Sequence, residues 1–578
     1  MMFHFNILLG QIILFNWLIL NPLIVYPQQK TTPPVDKHQP QNFFASKAMV
    51  VAAHPLAVKA GLKILRQGGN AIDAAVATAA ALNAAEPFAS GIGGGGFMVI
   101  YLAQEKKVTV INFRERAPAA SSPTMFHQDG QVQEKWRRTH GLAVAVPGAL
   151  AGWNYALKKY GRLSLREVFQ EAITIAERGF AVSPTFSSIN KDEYEKLLAM
   201  DGENSCYLQQ GFPFEPGDIF RNPELAQTFR LLVEKGTKAF YQGEIGQKII
   251  QAVQEKGGIM TAKDLASYQA LELKPLGASY KDFEIWTIPP PGSGGLHIIQ
   301  LLSIFEQLPL KKWGYLSPNY IHYFTEALRF IFVDRNLYLG DPEFIDVPLK
   351  KLVSKEYAQA ILRKIKPTKA APSYSSVASG LLENPRDEDE NTTHLCVVDE
   401  EGNIVSLTQS INHFFGSGIV PEGTGFLLNN HMDDFSRDPQ SPNAPGPRRH
   451  PLSSMGPLII FHQGQPFLVL GSPGGTRIFS SLTQIIFNII EFGLEVDEAI
   501  EAPRFFSYSV GGKARPLFVE SRIPAVTLEK LRQWGHEITI REAYDKYFGG
   551  AQGILILPQR QGMYGGADSR RDGTGKGY

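Results

Sequence analysis

The stretch Asn391-Thr392-Thr393-His394-Leu395-Cys396-Val397-Val398-Asp399 begins where an acidic run ends, and it opens with two threonines. The preceding residues, 367–390, are rich in Ser, Ala, Pro and carboxylates, a composition that predicts a solvated linker. Downstream, the strand-like runs 394–398 and 404–411 flank the turn residues Asp399, Gly402 and Asn403. This pattern predicts a hairpin whose first strand starts at Thr392.

Thr392 stands where a linker meets a sheet, and two interpretations of that position are open. Thr392 and Thr393 are ordinary strand formers in the first. In the second, the Asn391-Thr392 bond is cut, because a threonine hydroxyl needs a base and the α-amino group of the same residue is one that enzymes use. Such an amine has a pKa of roughly 7.7 to 8.0, which suits a base at neutral pH.

The composition of the chain excludes several classes of protein. With 578 residues, 44% of them hydrophobic, the chain can bury a large core, and its net charge of +1 gives no reason to expect a nucleic-acid partner. Cys206 and Cys396 are too few for a disulfide framework or a metal cluster, so we expect inert thiols, with a single bridge left open. The glycine run 93–96 lacks a following Gly-Lys-Ser/Thr and predicts a tight turn rather than a phosphate loop. We expect neither a metal nor a cofactor.

The N-terminal residues 5–26 are strongly apolar but are interrupted by polar residues and by Pro22, and no Lys or Arg precedes them. We expect residues 1–28 to be an export signal, with an uncleaved membrane anchor as the alternative. Residues 29–44 contain Pro33, Pro34 and Pro40 and are predicted to be a linker. The protein is therefore expected to be exported, either periplasmic or extracellular, with membrane attachment through residues 5–26 as an option.

The remaining pattern alternates helical and strand-like blocks without internal repeats. A helical pattern after His54-Pro55 ends at Gly68-Gly69, and residues 71–85 are mostly alanine on every face, which predicts a helix buried on all sides. Strands are predicted at 97–102, 108–113, 457–461 and 465–470, and helices over much of 163–269, from about 296, and at 480–492. These blocks predict an α+β layered domain.

Four further motifs follow strands or constrained loops. They are Phe113-Arg114-Glu115-Arg116-Ala117-Pro118, Asn429-Asn430-His431-Met432-Asp433-Asp434-Phe435, Pro451-Leu452-Ser453-Ser454-Met455 and Gly471-Ser472-Pro473-Gly474-Gly475-Thr476-Arg477. Together with Thr392-Thr393-His394 they resemble the γ-glutamyltransferase (γ-glutamyl transpeptidase) family of N-terminal-nucleophile hydrolases, from about Ala45 to the C-terminus. The resemblance implies a four-layer αββα sandwich and an inactive precursor that cleaves itself, as its own protease, between Asn391 and Thr392. The large subunit would be 45–391 and the small subunit 392–578.

The resemblance also implies roles for individual residues. Thr392 would be the nucleophile of both self-cleavage and turnover, with Thr393 in support and the Ser410 hydroxyl contacting the nucleophile's oxygen. Gly474 and Gly475 would present backbone N–H groups to the oxyanion. For the donor's amino acid head, the α-carboxylate would be bound by Arg114, Ser453 and Ser454, and the α-ammonium by Asn412, His431 and Asp434. Asp433, Glu115 and Arg116 are expected to give structural support only.

The chain departs from the family pattern at two places. His431 stands where glutamine or glutamate is common, and a protonated imidazole would repel the donor's ammonium, so we expect weaker donor binding at low pH. The segment from Phe435 to Leu452 is short and has no aromatic residue after Phe435. We therefore expect a site of the lid-lacking type with an open cleft, which would admit larger acceptors.

The implied function is transfer of the γ-glutamyl group of glutathione, or of a related γ-glutamyl amide, to water or to an amino acid or peptide acceptor. A first alternative is an acylase acting on glutaryl or cephalosporin-type amides. Asp434 argues against it, because an acyl group without an α-ammonium has no use for that carboxylate. A second alternative is a non-enzymatic surface protein that retains the fold.

Overall fold

The structure is a computed structural model that describes residues 42–372, 390–510 and 513–578. The predicted signal or anchor, most of the linker that follows it and the acidic run before residue 390 lie outside the described residues. No helix in the described part of the chain has the length and hydropathy needed to cross a membrane.

The strands are β1 (Phe43–Ala45), β2 (Met49–Ala52), β3 (Gly95–Leu102), β4 (Lys107–Asn112), β5 (His127–Gln128), β6 (Gln131–Val132), β7 (Phe180–Ala181), β8 (Ile219–Phe220), β9 (Leu271–Leu273), β10 (Leu276–Tyr280), β11 (Phe283–Thr287), β12 (Glu390–Val398), β13 (Ile404–His413), β14 (Leu458–His462), β15 (Gln465–Gly471), β16 (Phe505–Phe506), β17 (Ser509–Val510), β18 (Lys513–Ala514), β19 (Leu517–Glu520), β20 (Ile538–Arg541), β21 (Gln552–Ile556), β22 (Met563–Ala567) and β23 (Thr574–Gly577).

The helices are α1 (Pro55–Arg66), α2 (Ala71–Ala85), α3 (Glu134–Arg138), α4 (Ala149–Tyr160), α5 (Leu165–Arg178), α6 (Pro184–Asp192), α7 (Tyr194–Asp201), α8 (Pro223–Lys235), α9 (Lys238–Tyr241), α10 (Glu244–Glu255), α11 (Ala262–Ala266), α12 (Ser293–Phe305), α13 (Leu310–Trp313), α14 (Pro318–Tyr338), α15 (Leu349–Leu352), α16 (Lys355–Leu362), α17 (Ile478–Ile490), α18 (Val496–Glu501) and α19 (Ala525–Gln533).

Two antiparallel seven-stranded sheets form the centre of the molecule. The first sheet has the order β1-β22-β21-β15-β14-β11-β10, and the second has the order β23-β2-β12-β13-β3-β4-β9. Strand β12 contributes side chains to two hydrophobic cores, because successive side chains point to opposite faces of the sheet. Leu395 and Val397 belong to the core under α1, α2, α4 and α5, whereas Cys396 and Val398 belong to the core between the sheets.

Helices cover the outer face of each sheet. Alongside α1, α2, α4 and α5 on the second sheet, the apolar faces of α12, α14 and α17 pack against β14 and β15 of the first. The predicted four-layer αββα sandwich is therefore confirmed. The alanine-rich α2 is buried at every residue, as predicted, and Asn70 and Asp73 begin it with a reciprocal capping box.

Several predicted boundaries need correction. The predicted linker 29–44 overlaps β1, because Phe43 and Phe44 pair with the edge of β22. Strand β12 begins at Glu390, two residues before Thr392, because Asn391 pairs with Asn412 of β13. Helices α12 and α17 begin at Ser293 and Ile478, earlier than predicted. Both cysteines are free, so the optional bridge is absent.

Candidate active site

The Asn391-Thr392 bond lies inside a strand, at an irregularity in its pairing with β13. Asn391 pairs with Asn412 and Thr393 pairs with Gln409, so one residue of β12 stands opposite two of β13. Glycine at position 94 permits the close approach of the neighbouring loop, because a Cβ there would lie 2.0 Å from the carbonyl oxygen of Ser410. The irregularity turns the Thr392 side chain back toward its own preceding carbonyl.

Two hydroxyls donate hydrogen bonds to the carbonyl oxygen of Asn391. Thr392 Oγ1 lies 2.6 Å from it, and Ser410 Oγ also lies 2.6 Å from it. Ser410 Oγ in turn accepts a hydrogen bond of 2.7 Å from the backbone N–H of Asn412. All of these groups are buried, so the hydroxyls polarise the carbonyl with little competition from water.

Arg571 donates hydrogen bonds to groups on both sides of the same peptide bond. Its role was not predicted from the sequence. Its Nη1 donates to the Thr392 carbonyl at 2.8 Å, and its Nη2 donates to the Asn391 side-chain oxygen. Glu86, just after α2, lies 3.8 Å from Arg571. Burial raises the pKa of Glu86 to about 7, although Arg571 and the Thr393 hydroxyl lower it.

The glycine pair lies on a turn that contacts β12. Gly474 has a φ of +126° and Gly475 a φ of +55°, both in the region that favours glycine. A Cβ on Gly474 would lie 3.1 Å from the Cα of Gly549. The short 3₁₀ turn Gly475–Arg477 contacts β12, so the pair is brought to the strand that carries Thr392. Thr393, next to the nucleophile candidate, is fully buried.

The two residues predicted to bind opposite charges of a donor bind each other in the structure. Arg114 is fully buried, and its Nη2 pairs with Asp434 Oδ2. Its Nη1 lies 3.2 Å from Glu115 Oε2, and its Nε donates to the Pro451 carbonyl at 3.2 Å. Tyr268 Oη donates to the Arg114 carbonyl at 2.7 Å and fixes the backbone behind it.

Asn412 and His431, also predicted to bind the head group, have partners of their own in the structure. Asn412 has a φ of +79° and donates from Nδ2 to the Asn430 carbonyl at 3.1 Å. His431 Nδ1 lies 2.7 Å from Glu115 Oε1, and both side chains are buried. Glu115 thus connects Arg114 with His431. Its location at the end of a strand did not predict these contacts.

The two serines are held by the first residue of α12 and by α14. The Ser453 carbonyl accepts from the N–H and the hydroxyl of Ser293 at 2.6 and 2.8 Å. Ser454 Oγ accepts from Arg335 Nη2 at 3.3 Å. Asp433 contacts Arg137 Nε and His413 Nε2, each at 2.9 Å.

The segment 435–452 contains neither helix nor strand and is tied down next to the ion pair. Asn443 Nδ2 donates to the Asp434 carbonyl at 2.7 Å, and its Oδ1 accepts from the Leu452 N–H at 3.1 Å. The Arg449 carbonyl accepts from the Ala117 N–H at 2.8 Å. Asn443 therefore links the backbone of Asp434 to that of Leu452, the residue before the serine pair.

Comparisons with known proteins agree on one family. A family model described as Gamma-glutamyltranspeptidase matches residues 57–578. The chain is 39% identical to the glutathione hydrolase proenzyme of Escherichia coli (strain K12), with 93% of each chain covered. It is 37% identical to the acylase ACY 1 proenzyme of Pseudomonas sp. (strain SE83), with 92% of this chain and 93% of that one covered. Among solved structures, the cephalosporin acylase of Bacillus halodurans matches with a TM-score of 0.83 at 29% identity, covering 96% of this chain and 99% of that one.

Proposed function

The chain belongs to the gamma-glutamyltranspeptidase family, and we propose that it is a self-processing γ-glutamyltransferase and glutathione hydrolase with Thr392 as its nucleophile. The observation that carries the proposal is the pair of hydroxyls, Thr392 Oγ1 and Ser410 Oγ, that both lie 2.6 Å from the Asn391 carbonyl oxygen. Family membership supports the class of reaction. The contact of the two hydroxyls with the Asn391 carbonyl supports the Asn391-Thr392 bond as the place where the reaction starts.

Maturation begins with attack of Thr392 Oγ1 on the carbonyl carbon of Asn391. The C–N bond breaks, the Thr392 nitrogen takes up a proton, and Asn391 becomes an ester of the Thr392 hydroxyl. Water then cleaves the ester, which leaves a carboxylate on Asn391 and a free α-amine on Thr392. Ser410 and Arg571 hold the bond in place during attack. Ser410 contacts the Asn391 carbonyl, and Arg571 contacts the Thr392 carbonyl and the Asn391 side chain.

Turnover uses the groups that maturation releases. The freed amine accepts the proton of the Thr392 hydroxyl while this oxygen attacks the γ-carbonyl of the donor. Backbone N–H groups of Gly474 and Gly475 stabilise the oxyanion, and loss of one such donor typically lowers the rate about 10² to 10³-fold. The amine leaving group departs with a proton, and water or an amine acceptor then cleaves the γ-glutamyl-threonine ester.

Donor selection follows from the Arg114–Asp434 ion pair. A γ-glutamyl donor carries one carboxylate and one ammonium, so it replaces the partly buried Arg114–Asp434 pair by two pairs, one at each residue, and leaves neither charge unpaired. Ser453 and Ser454 would assist at the carboxylate, and Asn412 and His431 at the ammonium. A glutaryl group has the carboxylate but lacks the ammonium, so it would leave Asp434 without a partner.

The acylase function is the second candidate, because the ACY 1 proenzyme and the Bacillus halodurans cephalosporin acylase are both similar to the chain. Hydrolysis of matched γ-glutamyl and glutaryl chromogenic amides separates the two. We expect a clear preference for the γ-glutamyl amide, and Asp434→Asn should reduce that preference. A wild-type preference for the glutaryl amide would favour the acylase.

The proposed cut is tested with wild type and Thr392→Ala on denaturing gels, combined with N-terminal sequencing. We expect wild type to yield a small chain of about one third of the 63.9 kDa precursor, beginning at Thr392, and Thr392→Ala to stay intact and inactive. An intact wild-type chain without activity would instead support the non-enzymatic alternative. Sequencing of the large chain also decides between a cleaved signal and a retained anchor at residues 5–26.

His431 and the short segment 435–452 lead to two further expectations about turnover. Donor affinity should weaken toward low pH in wild type and less so in His431→Gln, because glutamine has no ionisable group beside the proposed ammonium site. Affinity measured from about pH 5 to about pH 8 checks this, and identical profiles would refute it. A short segment without an aromatic cover should also give a high ratio of hydrolysis to transfer.

A further inference from the structure

A cavity outside the candidate active site lies at the opposite end of β12 from Thr392. Its volume is about 500 Å³, within the range of small-molecule sites, and it opens between the two sheets. Val398, at the end of β12, lines it, six residues from Thr392 along the strand. At about 3.3 Å per residue the two are separated by roughly 20 Å, so this cavity is distinct from the candidate active site. We call it the inter-sheet slot.

Apolar side chains from both sheets form its walls. Tyr101 of β3 and Phe461 of β14 meet across the two layers, with ring centroids 5.0 Å apart and planes at 80°. Trp286, Val398, Ile556 and Met563 contribute further apolar side chains to the lining. The slot continues the core between the sheets out to the surface. An elongated apolar group would fill it.

The mouth of the slot is formed by tight turns that carry charged residues. Lys106 and Arg560 lie there with φ of +49° and +56°. The Arg560 Nη2 donates to the carbonyls of Asp399 and Glu400 at 3.2 and 2.8 Å, which holds the guanidinium in place. In the part of the chain that the structure describes, no side chain pairs with Lys106 or accepts a hydrogen bond from the Arg560 Nε or Nη1.

The carboxylates at the mouth do not cancel these two cations. Glu401 forms an ion pair of 2.7 Å with Arg162, and Glu284 is the other acidic residue of the lining. Two cations therefore face one carboxylate without an ion-pair partner among the described residues. An apolar slot with a basic mouth matches a molecule with an apolar chain and an anionic end.

We propose that the inter-sheet slot binds a single-chain anionic amphiphile, with its chain packed against Tyr101, Trp286 and Phe461 and its head group on Lys106 and Arg560. Binding does not depend on the proposed enzymatic function, because the slot and Thr392 lie at opposite ends of β12. Hydrolysis of the γ-glutamyl donor should proceed at the same rate with the slot filled.

The test is calorimetric titration of the full-length protein with sodium decanoate, kept below the concentration at which it forms micelles. Val398→Trp fills the slot, and we expect it to raise the Kd at least about tenfold, as loss of a buried apolar contact does. Lys106→Asn and Arg560→Asn remove one cation each, and asparagine tolerates the left-handed φ of both positions. Each should raise the Kd severalfold. Arg448→Asn is the matched control, because Arg448 is exposed, has a φ of +59° and lies outside the slot.

Decanol, which has the same chain without the charge, serves as the second ligand. It should bind wild type more weakly than decanoate does and should be indifferent to Lys106→Asn. Absence of saturable decanoate binding to wild type would overturn the proposal. Equal decanoate affinity of wild type, Lys106→Asn and Arg560→Asn would also overturn it, even if Val398→Trp failed to fold. Donor hydrolysis is measured in the same samples. If decanoate fails to bind while donor hydrolysis proceeds normally, the slot proposal fails and the proposed enzymatic function stands.

Discussion

At the scale of single residues, the Asn391-Thr392 peptide bond is held by groups from distant parts of the chain. Ser410 comes from the neighbouring strand, Arg571 from the C-terminal region and Glu86 from the end of α2. Ser410 and Arg571 contact the bond directly, and Glu86 lies 3.8 Å from Arg571. All three residues are buried, so each is expected to influence maturation more than a surface residue would. The bond is thus positioned before any chemistry occurs.

Arg571→Lys should slow maturation. The substitution keeps the charge but loses the fork that reaches both the Thr392 carbonyl and the Asn391 side chain. Hydrogen bonds to charged groups are worth about 1.5 to 3 kcal/mol, so we expect a rate about ten- to a hundredfold lower. A time course on denaturing gels measures it. Arg560→Lys is the control, since Arg560 also donates to backbone carbonyls but lies at the far end of β12. Equal half-lives for all three proteins would contradict the role of Arg571.

Glu86→Gln should change how stability depends on pH. Burial raises the pKa of Glu86 to about 7 from an ordinary 4.5, so folding takes up a proton between these values. The stability associated with the neutral carboxyl is therefore present below about pH 4.5 and is lost as the pH rises through about 7. Relative to wild type, Glu86→Gln should gain up to about 1.4 kcal/mol per pH unit across that window.

Urea unfolding of the uncut Thr392→Ala chain, with and without Glu86→Gln, measures this difference without interference from subunit dissociation. Glu105→Gln is the control, because Glu105 lies exposed on a turn. Parallel pH curves for the Glu86→Gln pair would show that burial of this carboxyl does not act on stability.

Sequence motifs identified part of this site and missed the rest for a physical reason. Thr392, Ser410, Arg114 and Asp434 lie in or near motifs that resemble a family pattern, and the structure places them in two adjoining clusters. Arg571 and Glu86 belong to no such motif. A carboxylate directly after an alanine-rich helix that was predicted to be buried was the available signal for Glu86, because a buried charge needs a partner. Pairing of Arg114 with Asp434 was not predictable, since each had been assigned to a different end of the ligand.

At the scale of secondary structure, α2 and β12 show what local pattern can and cannot predict. The bounds of α2 were predicted correctly, because alanine favours helix throughout and Asn70 caps its start. The start of β12 was predicted two residues late. Glu390 was assigned to the linker and Asn391 was left outside the strand, but pairing with His413 and Asn412 includes both in the sheet.

Close packing of α1 on α2 depends on the absence of a side chain at Gly61. A Cβ there would lie 2.3 Å from Thr78 Oγ1 and 3.2 Å from a Val50 methyl. Gly61→Ala should therefore destabilise the protein by about 1 to 3 kcal/mol, despite alanine's better helix propensity. Thr78→Ala removes the clashing oxygen, so the double variant should regain part of the loss. Urea unfolding of the full cycle measures the coupling. A Gly61→Ala variant more stable than wild type would refute this account.

At the scale of the whole molecule, the proposed cut leaves each sheet with strands of both subunits, and in places these strands alternate. In the second sheet, β2 of the large subunit lies between β23 and β12 of the small subunit. In the first sheet, β22 and β14 of the small subunit pair with β1 and β11 of the large. The layered architecture was predictable from the alternating pattern and the family resemblance. This interleaving was not, because strand order depends on contacts between residues hundreds of positions apart.

Matured protein should not separate into its two chains without unfolding. Separation would break the ladders on both sides of β2 and expose the apolar core between the sheets. Size-exclusion chromatography in increasing urea, compared with far-UV circular dichroism, checks this. The chains should co-elute up to the urea concentration at which the sheet signal is lost. Release of one chain at a lower concentration would show that the halves are independently folded.

The strand order also bears on how the cell can make this protein. Neither half can close its own sheets, since β2 needs strands of the small subunit on both of its sides. Synthesis as one polypeptide solves this, because translation delivers the two halves in equal numbers and at the same place. Two separate genes would have to match their expression and bring unfinished sheets together before they aggregated. The cut after Asn391 would then be a late step in gene expression. It divides a protein that had to be encoded as one chain.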